Sequence, residues 1–321
     1  MTQIEMRPIL KDTYHIVIAI VMVLLILGLA TWSGIIQCRD IPGWCDVYYT
    51  IKGPPKTLIV FGNEGLGDPD LLASALREPN HAAATNISRQ DIDFVSAGNL
   101  KQFDLVIVTR ARQISTSKLE AFMEYVDAGG RLVWTGDAGT VLGEKDEFLY
   151  LDDIDTNNSF LNNKIIEKPE NMPQHELISP WARKITSEKR IIRFDHYLSV
   201  QYEGNWCQIR DCEISQQVGT LVPESGADHK LIYGIKQNLQ LYGDFALTQD
   251  IGIGSTRVLS VDTESNVIGL DKKELGRIFP IIVTSGIGER ITYYAVPPEY
   301  FIQEPMQYWL FIENLYDGML R

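Results

Sequence analysis

The chain opens on an apolar block. Between Thr13 and Cys38 there is no Asp, Glu, Lys or Arg, and Ile16–Ala30 (IVIAIVMVLLILGLA) is uninterrupted. About 20 apolar residues cross a bilayer core, so Tyr14–Ile36 is long enough for a transmembrane helix. Tyr14 and Trp32 fall where interfacial aromatics belong. A cleaved signal peptide has a shorter apolar region followed by a small-x-small site. The stretch Trp32-Ser33-Gly34-Ile35-Ile36-Gln37-Cys38 offers no such site, and it is wrong for lipoprotein processing. The pattern predicts a tail (1–13), a single retained span (14–36) and a juxtamembrane connector (37–56) holding Pro54-Pro55.

From Thr57 the period changes. Thr57–Gly62 (TLIVFG) reads as a buried strand ending in a glycine-bearing loop, and Asp68-Pro69 starts a helix with an N-cap acid and proline at the first helical position. Leu71, Leu72, Ala75 and Leu76 give that helix an apolar face. Asp93–Ser96 reads as a second strand and Asp104–Thr109 as a third, apolar enough to be covered on both faces. Ser115 begins a helix through Ala128, stopped by Gly129-Gly130, and Arg131–Thr135 is a fourth strand. Strands alternating with helices predict a doubly wound parallel sheet over 57–142. Glu144–Asn163 is polar and acidic without a helix-length apolar stripe, and residues 143–253 read as a β-rich insertion, with strands at Ile191–Val200, Gly219–Val222, Leu231–Ile235 and Leu239–Leu247. The α/β pattern returns over 254–321. It has strands at Arg257–Val261, Pro280–Thr284 and Arg290–Val296, a hairpin turn at Ser285-Gly286-Ile287-Gly288, and a terminal helix Pro305–Leu320 packing through Trp309, Phe311, Ile312, Leu315 and Tyr316.

Composition then adds a side and a sign. The chain has 321 residues and a net charge of −13, which argues against a nucleic-acid partner. Glu5 and Asp12 balance Arg7 and Lys11, so the tail is neutral and the whole negative charge follows residue 38. Such a surface favours cations or basic partners. The four cysteines fall in two local pairs, Cys38 with Cys45 and Cys207 with Cys212. Two disulfides in an oxidising compartment fit that spacing, although four cysteines allow three connectivities. Zinc is the alternative, but C-x6-C and C-x4-C lack a tight knuckle and no histidine adjoins them. The Lys/Arg bias around the span is slight, so the cysteines carry the expectation that the C-terminal part is extracytoplasmic. Asn86-Ile-Ser88 and Asn157-Asn158-Ser159 are glycosylation sequons compatible with that side.

The order of short strand, glycine loop, helix, FDLVIVT strand, helix ending in AGG and RLVWTG strand resembles the class I glutamine amidotransferase-like fold, nearest its ThuA-like relatives. The closing stretch, Phe279–Val283, Gly288–Tyr294 and a helix with Glu313-Asn314-Leu315, resembles it too. The resemblance implies a cysteine nucleophile at the turn after Arg131–Thr135. That turn is Gly136-Asp137-Ala138-Gly139, with neither cysteine nor serine. It also implies a histidine and an acid after the last core strand. Here the place reads Val296-Pro297-Pro298-Glu299, so an acid stands there but proline replaces the base. Acyl transfer needs an activated nucleophile beside a base, so the pattern predicts a scaffold without glutaminase activity.

Ligands of doubly wound sheets bind beyond the carboxyl ends of strands. The residues there are Asn63, Glu64, Arg110, Arg112 and Asp137, with Glu299 joining them. They are the candidate ligand-binding set, and Glu64, Asp137 and Glu299 the candidate catalytic acids if the chain is an enzyme. Salt bridges and loop caps are the blander use of the same groups. Gly62-Asn63-Glu64-Gly65-Leu66-Gly67 is not a dinucleotide fingerprint, and Asp153–Asn157 starts like a calcium loop but lacks its later ligands. Among five histidines none makes a metal motif; His196 sits beside Asp195 on an expected strand. No cofactor or metal is predicted. The expectation is a membrane-anchored, extracytoplasmic, non-catalytic binding or assembly module with a protein partner, such as an accessory subunit of a membrane complex. The alternative is an extracytoplasmic hydrolase or carbohydrate-processing enzyme with a carboxylate cleft.

Overall fold

The computed structural model describes residues 6–32, 36, 41–141, 147–148, 181, 184–185, 191–210, 212, 216–226, 228–252, 254–269, 272–301 and 305–320. The expectations for Cys38, Asn157 and the Asp153–Asn157 loop fall outside them, as does the side chain of Cys45. Residues up to Pro54 form one compact unit and Pro55–Leu320 another.

In the first unit, helix α1 (Met6–Trp32) begins a turn or more before the expected span. Its stretch Thr13–Thr31 is long and apolar enough to cross a membrane. Helix α2 (Trp44–Lys52) follows, with Gly43 before it at φ 74°.

The second unit is built on strands that the apolar runs predicted. β1 (Lys56–Phe61) is followed by α3 (Pro69–Arg77), and Asp68 caps that helix by accepting from the N–H groups of Asp70 and Leu71. β2 lies at Asn86–Asp91, not at the expected Asp93–Ser96. The later segment instead holds a 3-10 turn over Ile92–Phe94 before the short α4 (Ala97–Leu100). β2 is an edge strand, so its residues need no apolar alternation. β3 (Leu105–Thr109), α5 (Thr116–Asp127) and β4 (Arg131–Thr135) match their predicted positions. Gly130 leaves room for Tyr125, whose ring atoms a Cβ would meet at 2.3 Å. The Tyr125 hydroxyl accepts from Arg131 N at 3.1 Å and fixes the turn into β4.

The two-residue strands β5 (Glu147–Phe148), β6 (Lys184–Ile185) and β7 (Ile191–Ile192) form a small antiparallel sheet. The expected strand Ile191–Val200 is divided: Ile191–Ile192 belong to β7, Phe194–Leu198 are helical, and Val200 opens the next strand. α6 (Phe194–Leu198) ends where Ser199 takes φ 59°, and His196 lies on that helix. β8 (Val200–Asn205) leads into α7 (Trp206–Ile209), and Cys207 is disulfide-bonded to Cys212. β9 (Gln217–Pro223) is where expected, but Leu231–Ile235 is a run of turns with Gly234 at φ 72°. The Leu239–Leu247 run is split by Gly243 into β10 (Gln240–Tyr242) and β11 (Ala246–Asp250). β12 (Ser255–Ile268) and β13 (Glu274–Ser285) are longer than their apolar centres. β14 (Ile291–Tyr294) and α8 (Pro305–Leu320) close the chain.

The main sheet runs β10-β9-β12-β13-β14-β4-β3-β1-β2. β14, β4, β3, β1 and β2 are parallel, whereas β13, β12, β9 and β10 extend the sheet by antiparallel pairing. The insertion thus contributes β9 and β10 to the same sheet. Chain connections leave β1 and β3 in opposite directions, so right-handed crossovers put α3 and α5 on opposite faces. Trp134 of β4 packs edge-on against Phe122 of α5 and tilted on Phe194 of α6. α8 packs on the α3 side, where Trp309 stacks on His81 at 4.1 Å. One polar knot ties the hairpin turn down: Glu289 accepts from Lys230 Nζ at 2.8 Å and pairs with His229 Nε2 at 3.1 Å. The hydrogen bond from His229 and the Lys230 ammonium hold the Glu289 carboxyl well below the usual carboxylate range.

Candidate functional site

The gap between β1 and β3 is the switch point of the sheet, where loops part and a crevice is expected. Here the two loops are stitched together instead. Gly62 N donates to Arg110 O, Arg110 N to Leu66 O and Arg112 N to Glu64 O, at 2.8 to 3.1 Å. The third loop, after β4, joins the same ladder through Gly139 N to Ala111 O and Val141 N to Arg112 O, both at 2.8 Å.

Asp137 stands at the centre and is only 1% exposed. Its Oδ1 accepts from Leu66 N at 2.7 Å, and its Oδ2 accepts from Asn205 Nδ2 at 3.0 Å. Arg112 Nε lies 3.3 Å from the same Oδ2 as an ion pair. The backbone of the turn is equally occupied. Gly136 N donates to Tyr294 O, and Gly136 O accepts from the Tyr293 hydroxyl at 3.0 Å. Asp137 O accepts from Thr140 Oγ1, and Ala138 O accepts from both Trp134 Nε1 and Trp181 Nε1 at 2.9 Å. All of residues 136–140 are buried. Trp181 and Asn205 both come from the insertion, so the insertion roofs the turn.

Glu299 occupies a second position, on a 3-10 turn after β14, and is fully buried. Its Oε1 accepts from Asp68 N at 2.8 Å and from Thr109 Oγ1 at 3.3 Å, while Oε2 has no hydrogen-bond partner. Burial pushes its pKa up to about 7. Thus Asp137 and Glu299 grip the β1–α3 loop at two points, Leu66 and Asp68. Gly67 lies between, at φ 120°; a Cβ there would sit 2.0 Å from Thr109 Oγ1 and 3.1 Å from Glu299 Oε1. Gly67→Ala is expected to destabilise the protein by about 2 kcal/mol, read as a lowered urea midpoint. Gly98→Ala, in open space on α4, should leave that midpoint unchanged or raised. Equal midpoints for the two variants would contradict the tight packing at Gly67.

The structure therefore brings Arg112 and Asp137 together and sets Glu299 against the same loop. Asn63, Glu64 and Arg110 are exposed, and Arg110 takes φ 50° to make its turn. Asn205, Tyr202 and Thr109 were not foreseen. Tyr202 donates to Asn205 Oδ1 at 2.8 Å, and its own hydroxyl is pushed far up by burial. The disulfide stands behind this group. Asp244 Oδ1 accepts from Cys207 N at 2.9 Å and from Phe245 N at 3.0 Å, and burial raises its carboxyl pKa. The ligand atoms of Cys207, Cys212 and Asp244 lie within 4.8 Å of one another, but the sulfurs are bonded to each other and present no thiolates.

No family model matches the chain, and no curated protein matches it. Among solved structures, a ThuA-like protein from Bacteroides uniformis ATCC 8492 aligns with a TM-score of 0.51 at 13% identity, over 82% of this chain and 91% of that one. A β-galactosidase from Rahnella sp. R3 aligns with a TM-score of 0.48 at 14% identity, over 88% of this chain but 35% of that one. The glutaminase domain of CTPS from Trypanosoma brucei aligns with a TM-score of 0.40 at 11% identity, over 83% of this chain and 94% of that one. The first of these is a likeness of fold, and it agrees with the strand and loop pattern read from the sequence.

Proposed function

We propose that this ThuA-like, amidotransferase-like chain is a membrane-anchored, extracytoplasmic, non-catalytic binding or assembly module. One observation carries the reading. The turn Gly136–Thr140, matched by resemblance to a nucleophile position, is buried and spends its polar groups on internal hydrogen bonds. A substrate carbonyl needs an open position beside a nucleophile and a set of donors; here Leu66, Asn205 and Trp181 take that space. Anchoring is supported by the apolar helix α1 and the side of the membrane by the Cys207–Cys212 disulfide. An acidic domain with one span fits an accessory subunit that meets a basic partner.

The carbohydrate-processing reading has one observation in its favour, the acid Glu299 with its pKa near 7. Against it, Glu299 is already bonded to Asp68 N, Asp137 is paired to Arg112, and Glu64 is exposed elsewhere on the loop. Purification from native membranes in mild detergent tests the assembly reading. The expected result is a stoichiometric co-purifying subunit and no ammonia release from glutamine. Recovery of a lone monomer, or turnover of glutamine, would count against it.

A further inference from the structure

Helix α2 has an apolar face that the described residues cover only in part. At 100° per residue, Val47, Ile51, Trp44 and Tyr48 fall on one side of the helix, and Thr50 falls on the other. Val47 is 42% exposed and Ile51 82%, although both are large and apolar. Trp44, on the same face, is buried, and its indole Nε1 donates to Thr31 Oγ1 at 2.9 Å. Thr31 ends the stretch of α1 that is apolar enough to span a bilayer. That hydrogen bond fixes the apolar side of α2 at the end of the span, where hydrocarbon gives way to headgroups. The rest of the face has the chemistry of that zone. The Trp44 and Tyr48 rings lie 6.4 Å apart on this face, and Tyr48 meets Tyr49, from the far side of the helix, at 5.3 Å. Lys52 Nζ stands 5.5 Å over the Tyr48 ring, a cation at the edge of the apolar side. Aromatic rings concentrate at the membrane–water interface and amphipathic helices lie in its plane.

We infer that α2 is an interfacial helix, its Val47–Ile51 face seated in the lipid headgroup boundary at the C-terminal end of α1. The inference rests on the membrane-anchor reading and adds a second, lateral contact with lipid.

Spin labels test it on the full chain in vesicles of phosphatidylcholine with phosphatidylglycerol. Single variants Val47→Cys, Ile51→Cys, Thr50→Cys and Leu24→Cys are labelled, with the wild-type chain carried through as a blank. Collision with oxygen, which partitions into lipid, is compared with collision with a water-soluble nickel chelate. The expected result is oxygen in excess at positions 24, 47 and 51, and nickel in excess at position 50. Nickel in excess at 47 and 51 with oxygen at 24 would overturn the interfacial helix while leaving the anchor standing. Protection of 47 and 51 from both probes would overturn it too, since the face would then be covered by protein. Nickel in excess at 24 would overturn the anchor and the inference together.

Discussion

Glu299→Gln is expected to make the protein more stable than wild type above pH 7, and no more stable below pH 4.5. Glu299 is fully buried, its Oε2 meets no donor, and burial lifts its pKa from 4.5 to about 7. The sign follows from linkage. In the unfolded chain the carboxyl ionises near its ordinary value, while the folded protein holds the proton until pH 7. Stability from this group is therefore complete below the unfolded pKa, declines between pH 4.5 and 7, and is lost above it. The size of the loss is about 3 kcal/mol. Glutamine copies the neutral acid in shape, can still accept from Asp68 N, and does not titrate. Urea midpoints of the two proteins, measured from pH 4 to pH 8, should coincide at the acid end and separate progressively to favour the variant. Parallel curves across that range would show that Glu299 does not titrate in this window.

Asp137→Ala carries the opposite expectation, a loss of about 3 kcal/mol. It strands the buried N–H of Leu66 and the amide of Asn205, and it leaves the Arg112 guanidinium without its counter-charge. For a domain of this size that is a fall in melting temperature on the order of 10 °C. Asp137→Asn keeps an acceptor for Leu66 N but turns an amide donor toward Asn205 and Arg112, so it should recover only part of the loss. A melting temperature unchanged in the alanine variant would remove Asp137 as the centre of the loop cluster, and with it the case for a structural turn.

Where apolar runs were both long and central, they located elements closely. β3, β4 and α8 lie within a residue of their predicted bounds because each is covered by sheet or helix neighbours. The misses have a common cause. β2 is at the sheet edge, so its residues Asn86–Asp91 are polar except Ile87, and the apolar Phe94 and Val95 nearby drew the prediction past it. In the insertion, short mixed segments such as Phe194–Leu198 (FDHYL) do not distinguish a buried helix from a strand. β12 and β13 outrun their apolar centres because beyond Asp262, where β9 ends its pairing, the two strands continue as a hairpin with each other alone, Val267 against Gly276 and Ile268 against Glu274.

The site divides in the same way. Arg112, Asp137 and Glu299 could be named because strand ends are legible. Asn205 could not, since it reaches Asp137 across 68 residues with no sequence mark. Nor could the backbone donors of Leu66 and Asp68, which every residue type possesses. Those donors hold both candidate acids, Asp137 and Glu299, against the β1–α3 loop.

The order of the sheet also sets a schedule for the newborn chain. β4 forms its second ladder with β14, Leu132 against Ile291, and the strands that continue the sheet beyond β14 all precede it in sequence. When β1 to β4 have left the ribosome they can assemble, yet the β4 flank stays open until β14 has been made. During that interval Leu132, Val133 and Trp134 present an unpaired edge of the kind that recruits foreign strands. β14 is thus the keystone of this sheet's folding, and truncation just before Ile291 should yield an aggregating product, not a smaller working domain.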